Sequence, residues 1–140
     1  VATSGGRGCL LVSSASFWEG FDVPGDGLQL VIIGKLAFPA PGDTLMEARS
    51  QRIEVAGGRS FQMLAVPEAA VALKQGAGRL IRRESDRGVL VVCDTRLVTM
   101  GYGKRLMRAL PPMRVLESPE EFEAALDALT RTSTKDWTLP

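Results

Sequence analysis

Short, largely apolar runs divide the chain, at Cys9 to Val12, Leu28 to Leu36 and Val89 to Cys93. Runs of this length without polar alternation are typical of strands buried on both faces of a parallel sheet. A further apolar segment, Phe61 to Val66, predicts a short edge strand before Pro67. Because the strands alternate with helical segments, the pattern predicts an α/β layer fold with a parallel sheet.

The polar segments between and after these runs predict helices with recognisable start and stop signals. Asp43 or Thr44 can cap the first helix, and the Gly57-Gly58 pair ends it. Proline loses no hydrogen bond in a first helical turn, so Pro67 suits the start of the second. In the last helix, a serine, a proline and a glutamate form a capping box, at Ser118, Pro119 and Glu121. The helices are expected at about 43–56, 67–83, 102–110 and from 118 onward.

The segment KQGAGRLIRR, Lys74 to Arg83, predicts a donor array on the second helix. At roughly 100° per residue, Gln75, Arg79 and Arg82 fall within an arc of about 60°. Glycines beside them let a ligand or another backbone approach closely. The opposite side is predicted to face the core, with Ala70, Leu73, Ala77, Leu80 and Ile81.

Arginine suits the binding of an anion on this face, because its planar fork contacts phosphate oxygens bidentately. Gln75 adds a neutral donor and acceptor. The alternative is structural: Arg79 and Arg82 pair with acidic side chains in an ion-pair network, and the candidates are Glu19, Asp22 and Glu84.

Composition narrows the chemistry that the chain can perform. Its 140 residues, 45% hydrophobic and 24% charged, are typical of a globular domain, and its net charge is +1. The lack of histidine excludes Ser-His and Cys-His nucleophilic sites and His-ligated metals. Cys9 and Cys93 lie in apolar runs, which predicts buried reduced thiols and an intracellular protein. No apolar run is long enough to cross a membrane and no secretion signal is present.

Three glycine patterns resemble nucleotide-binding loops but fail in detail. Gly76-Ala77-Gly78 and Gly101-Tyr102-Gly103 both lack the third glycine of a dinucleotide fingerprint. Gly103-Lys104 resembles the end of a Walker A motif, but neither the following serine or threonine nor the earlier glycine is present. The chain therefore has no phosphate-binding loop of its own.

Two segments carry a family resemblance. SFWEGFDVPGDGLQLVIIGKLAFPAPGD, Ser16 to Asp43, is similar to the region around motif V of the XPD/DinG group of superfamily 2 DNA helicases. QGAGRLIR, Gln75 to Arg82, is similar to that group's motif VI, and DRGVLVVCDTRL and YGKRLMRALP continue the likeness. The resemblance covers roughly Cys9 to Met113 and is strongest to the bacterial DinG/YoaA-like helicases.

This resemblance implies a RecA-like (P-loop NTPase-type) α/β fold, a parallel sheet with flanking helices, as an incomplete domain. Residues 1–8 would be a flexible lead-in, 9–115 the C-terminal part of the second motor domain, and 116–140 a C-terminal helix and tail. ATP with Mg²⁺ would bind mainly to the first motor domain, which is not in this chain. Any iron–sulfur cluster would also lie in that missing part, with no metal site here.

The resemblance also implies residue roles. Gln75 and Arg79 would contact the phosphates of ATP across the inter-domain cleft, and Arg82 would be the arginine finger. Motif V residues and a glycine would line the nucleotide, at Glu19, Gly20, Asp22 and Gly78. Ser14 and Ser16 would contact DNA phosphates, although serines in turns commonly bond local backbone instead.

The implied protein is a cytoplasmic DNA helicase whose partners are single-stranded DNA and its own first motor domain, with no membrane. This chain alone, without Walker A and B residues, would be inactive. Two alternatives stay open: a non-catalytic module that binds nucleic acid or nucleotide through a helicase-like surface, and a structural domain whose arginines stabilise an interface.

Overall fold

The computed structural model of the chain describes residues 3–4, 9–14 and 27–133. Strands and helices alternate through most of this part, as the apolar pattern predicts. In chain order the elements are β1 (Thr3–Ser4), β2 (Cys9–Leu10), β3 (Leu30–Ile33), α1 (Thr44–Val55), a π-helical turn (Phe61–Ala65), α2 (Val66–Leu80), β4 (Val89–Val92), α3 (Arg96–Thr99), α4 (Gly103–Ala109) and α5 (Pro119–Ser133).

The central sheet consists of β3 and β4, which pair in parallel with Leu30 opposite Val89 and Ile33 opposite Val92. The pairing continues one step further, because the backbone N–H of Cys93 donates to the carbonyl of Ile33 at 2.9 Å. Both carboxyl ends therefore lie at one edge of the sheet. The predicted α/β class and parallel arrangement are confirmed.

The first predicted strand differs from expectation. Of this run only Cys9–Leu10 forms a strand, and it pairs antiparallel with Thr3–Ser4 in a separate two-stranded sheet. Leu10, Leu11 and Val12 are 64%, 39% and 67% exposed, so the predicted burial on both faces is wrong. The physical reason is that this segment does not pair with β3 or β4 in the described part of the chain. Of the lead-in at 1–8, only Thr3–Ser4 belongs to the described residues.

Helix α1 begins where the sequence predicts. Asp43 caps it, its carboxylate accepting from the N–H groups of Leu45 at 3.0 Å and Met46 at 3.2 Å. The helix ends at Val55 and contains no buried residue. Arg49 and Arg52 are exposed on its surface.

The segment predicted as an edge strand is a π-helical turn, Phe61–Ala65, that leads directly into α2. A short apolar run cannot distinguish strand from helix by periodicity alone. Here Phe61 stacks on Phe38 with ring centroids 5.5 Å apart and meets Tyr102 edge-on at 5.4 Å. These ring contacts hold the segment against the core as a helical turn, with no neighbouring strand for it to join in the described residues.

The core lies between the sheet, α2 and α4. Its buried members are Ile33, Leu36, Val66, Ala69, Leu73, Tyr102 and Leu106. Close packing of the short helices explains Gly103, where an added methyl group would overlap the carbonyl of Leu97. Cys93 is a free thiol but exposed, so its predicted burial is wrong: it directly follows β4 and lies at the edge of the sheet where the strands end.

Helix α5 has the predicted serine cap, since the Ser118 hydroxyl accepts from the N–H of Glu121 at 3.2 Å. The Glu121 carboxylate bonds the N–H of Glu117 instead of that of Ser118, at 2.9 Å, and pairs with Arg114 at 2.6 Å. Among the helices of the described ranges, none has both the length and the hydrophobicity of a membrane span.

Candidate functional site

The donor array on α2 is shorter than the sequence predicts, because the helix ends at Leu80. Ile81 is extended, with φ −120° and ψ 107°, and Arg82 and Arg83 lie in the following turn. The Asp86 carboxylate accepts from the N–H groups of both arginines at 2.9 Å. The prediction that Arg82 shares a helical face with Arg79 is therefore wrong. The hydrogen bonds to Asp86 hold the backbone that would have continued the helix.

The core side of α2 follows the prediction, with Leu73, Ala77 and Leu80 at most 3% exposed. On the other side, Gln75 is exposed and Arg79 half-buried. Among the residues that the structure describes, neither side chain has a hydrogen-bond or ion-pair partner.

Gly78 lies one residue before Arg79, and a methyl group placed on it would meet no atom within 4 Å. No packing contact within the described chain thus requires glycine at this helical position, where alanine would be favoured by about 1 kcal/mol.

The ion-pair alternative fails for one pair of residues that the structure describes. Arg79 forms no salt bridge with Glu84, although both belong to the described chain. For pairing of either arginine with Glu19 or Asp22 the alternative stays open, because both acidic residues lie outside the described residues.

The remaining predicted residues belong to motif V and to the proposed DNA contacts. Gly20 and Ser16 also fall outside the described ranges, so the predicted motif V contacts stay predictions. Ser14 is exposed, and its carbonyl accepts from the Ser13 hydroxyl at 3.2 Å.

Asp94 ties the carboxyl ends of the two parallel strands together, a role that the sequence reasoning missed. Its carboxylate accepts from the backbone N–H of Leu36 at 2.9 Å, across 58 residues of sequence. It also accepts from Arg96, through the Nε at 2.9 Å and a terminal nitrogen at 2.6 Å. The Asp94 side chain is only 7% exposed. The available signal was an Asp-Thr-Arg run immediately after a buried strand.

Aromatic side chains connect Arg96, and through it Asp94, to the segment that leads into α2. The Arg96 guanidinium lies 5.2 Å from the centroid of Phe38. Phe38 in turn contacts Phe61 and, edge-on at 5.6 Å, Tyr102. The loop after β3, the turn before α2 and the start of α4 thus share one aromatic cluster, Phe38, Phe61 and Tyr102.

Hydrogen bonds stabilise the charged forms of two carboxylates, Asp94 and Asp86. The Arg96 side chain and then the Leu36 N–H hold the pKa of Asp94 far below its usual range. The N–H groups of Arg82 and Arg83 lower the pKa of Asp86 in the same way. Both carboxylates are therefore ionised acceptors at neutral pH.

A groove of about 370 Å³ lies elsewhere, between α1, the loop after β3 and the π-helical turn. Of the predicted site residues that the structure describes, none is among the residues that line this groove. Within the described ranges, no three acidic or cysteine side chains gather as metal ligands.

Residues 2–113 match the family described as helicase C-terminal domain. The chain belongs to this family. The resemblance drawn from motifs V and VI is thereby confirmed.

Individual relatives give the same result. Over 103 residues, 74% of this chain, it is 53% identical to a protein named ATP-dependent DNA helicase YoaA from Escherichia coli (strain K12). It is 42% identical over 125 residues, 89% of the chain, to ATP-dependent helicase DinG from Mycobacterium tuberculosis (strain ATCC 25177 / H37Ra). A third relative, named 3'-5' exonuclease DinG, from Bacillus subtilis (strain 168), is 39% identical over 116 residues, 82% of the chain.

The chain spans 16%, 19% and 12% of the lengths of these three relatives. The similarity therefore establishes the helicase C-terminal domain family for this segment. The differing names show that this domain occurs in proteins with more than one named activity.

Proposed function

We propose that this chain is the C-terminal part of the second motor domain of an ATP-dependent DNA helicase. In this proposal it supplies arginines to ATP bound mainly by a first motor domain, and it forms part of a track for single-stranded DNA. Mg²⁺ and any iron–sulfur cluster would be held outside this chain.

One observation supports the proposal most directly: Arg79 is half-buried yet has no anionic partner among the described residues. Partly burying a permanently charged guanidinium without a counter-ion costs free energy, which a ligand phosphate would recover on binding. Gly78 leaves open space beside it, and Gln75 is exposed one helical turn earlier. This surface fits the phosphate end of a nucleotide held by another domain.

Arg82 has a different place in the proposal. It lies in the turn beyond α2, where Asp86 fixes its backbone N–H at 2.9 Å while the side chain remains exposed. We assign it the role of arginine finger, which stabilises the charge that develops on the transferring phosphoryl group.

Replacing Arg79 with alanine in the full-length protein tests the proposed site. Since Arg79 has no partner in the described chain, Arg79→Ala should leave the melting temperature within about a degree while reducing DNA-stimulated ATP hydrolysis at least ~10-fold. Arg49→Ala, which removes an exposed arginine from α1, is the matched control and should keep its activity. Unchanged hydrolysis in Arg79→Ala would contradict the assignment, and loss of folding would support the structural alternative.

A further inference from the structure

We propose that Arg96 and Lys35 form a binding site for the backbone phosphates of a nucleic acid, at the sheet edge where β3 and β4 end. The inference rests on the proposed function, since it takes DNA as the substrate. It adds a contact separate from the arginines assigned to ATP.

Arg96 is held in place before any ligand arrives. Its Nε and one terminal nitrogen are bonded to Asp94, and the ring of Phe38 supports the guanidinium. The other terminal nitrogen has no partner among the described residues, and the side chain is 44% exposed. A guanidinium fixed in this way loses little conformational entropy when it binds a phosphate.

Lys35 lies on the neighbouring strand end. It directly precedes Leu36, whose N–H donates to the same Asp94 carboxylate that holds Arg96. Its side chain is exposed and has no partner in the part of the chain that the structure describes. The hydrogen bonds of Asp94 to Leu36 and Arg96 therefore place the two cations at one edge of the sheet, where parallel α/β sheets bind ligands.

The sequence that follows β4 is basic. No acidic residue occurs from Thr95 to Leu116, a stretch that contains Arg96, Lys104, Arg105, Arg108 and Arg114. The Asp94 carboxylate at this edge is 7% exposed and directed at Arg96 and backbone N–H groups. Both cationic side chains are exposed in the described part of the chain, which suits a polymer backbone better than an enclosed free nucleotide.

The test measures binding of oligo(dT) by the full-length protein without nucleotide, as a function of salt. The slope of log K against log salt becomes shallower by about 0.7 for each phosphate of a single strand that the protein no longer neutralises. We expect a decrease of about 1.4 for the double variant Lys35→Gln with Arg96→Gln, and about 0.7 for Lys35→Gln alone. Lys35→Gln breaks no contact in the described chain, so it tests the site even if Arg96→Gln disturbs the loop.

Arg87→Gln is the matched control, because Arg87 is exposed just before β4, at the opposite edge of the sheet. It should keep the wild-type slope, and the KM for ATP should be unchanged in all three variants. A wild-type slope in both Lys35→Gln and the double variant would overturn this inference alone. If the variants instead raise the KM for ATP and leave DNA binding unchanged, Lys35 and Arg96 contact a phosphate of ATP, and the inference is also overturned. Absence of salt-dependent binding by the unmodified protein would overturn the proposed function as well.

Discussion

The carboxylate of Asp94 accepts a hydrogen bond from the backbone N–H of Leu36 at 2.9 Å, and this bond joins segments 58 residues apart. The same carboxylate holds Arg96, whose guanidinium packs on Phe38 in the loop after β3. One side chain thus fixes the loop after β3 and the segment after β4 relative to each other. Any surface built from both segments depends on it.

Asp94→Asn should loosen this loop. The substitution keeps the size of the side chain but removes the charge that strengthens its bonds to Leu36 and Arg96. Hydrogen exchange at the Leu36 amide should become faster, while exchange in α5 stays unchanged. Asp127→Asn, an exposed position on α5, is the control. Equal Leu36 protection in both variants would mean that Asp94 does not hold the loop.

The same contact predicts a pH dependence. The pKa of Asp94 is depressed from its ordinary value of 3.8, so its stabilising effect is fully present above that value. It is lost as the pH falls further, toward the depressed pKa of the folded state. The difference in melting temperature between wild type and Asp94→Asn should thus be constant from neutral pH to about pH 5 and shrink below about pH 4. A difference that grows on acidification would contradict this.

Leu106 should be among the most sensitive core positions, since it is fully buried between α4 and α2. Leu106→Ala removes buried methyl groups and leaves a cavity, with an expected cost of about 2–5 kcal/mol in the free energy of unfolding. Met107→Ala, at a position 36% exposed on the same helix, should cost clearly less. Urea titration of the two variants measures the difference, and equal costs would contradict the described packing of α4.

Gly78→Ala should separate stability from activity. Because an added methyl group meets no atom within 4 Å, alanine should stabilise α2 by up to about 1 kcal/mol. If the open space receives ATP or the first motor domain, the same variant should lose ATP hydrolysis in the full-length protein. Thermal melting and ATPase assays on one preparation measure both effects. A variant that is more stable and fully active would show that nothing approaches Gly78.

The apolar runs and caps were sufficient to predict most of the fold. Val89–Val92, Leu30–Ile33 and the start of α1 at Thr44 follow from local signals, namely buried runs and an aspartate cap. The Phe61 segment could not be assigned from sequence, because its helical form depends on ring contacts with Phe38 and Tyr102, both distant along the chain.

The site was predictable in part. The spacing of Gln75 and Arg79 placed both on α2, but the end of the helix at Leu80 depends on Asp86, whose bonds to two backbone N–H groups compete with helical continuation. The hydrogen bond between Asp94 and Leu36 depends on the pairing of β3 with β4, a non-local contact that no local pattern encodes.

The most direct test of the proposed function is single-turnover ATP hydrolysis by full-length Arg82→Ala, with saturating single-stranded DNA. An arginine finger acts on the transition state, so nucleotide affinity should change little while the hydrolysis rate falls by roughly 10³-fold or more. Arg87→Ala, exposed in the same turn-rich segment, should hydrolyse ATP at the wild-type rate. Hydrolysis by Arg82→Ala within about twofold of the Arg87→Ala control would contradict the account.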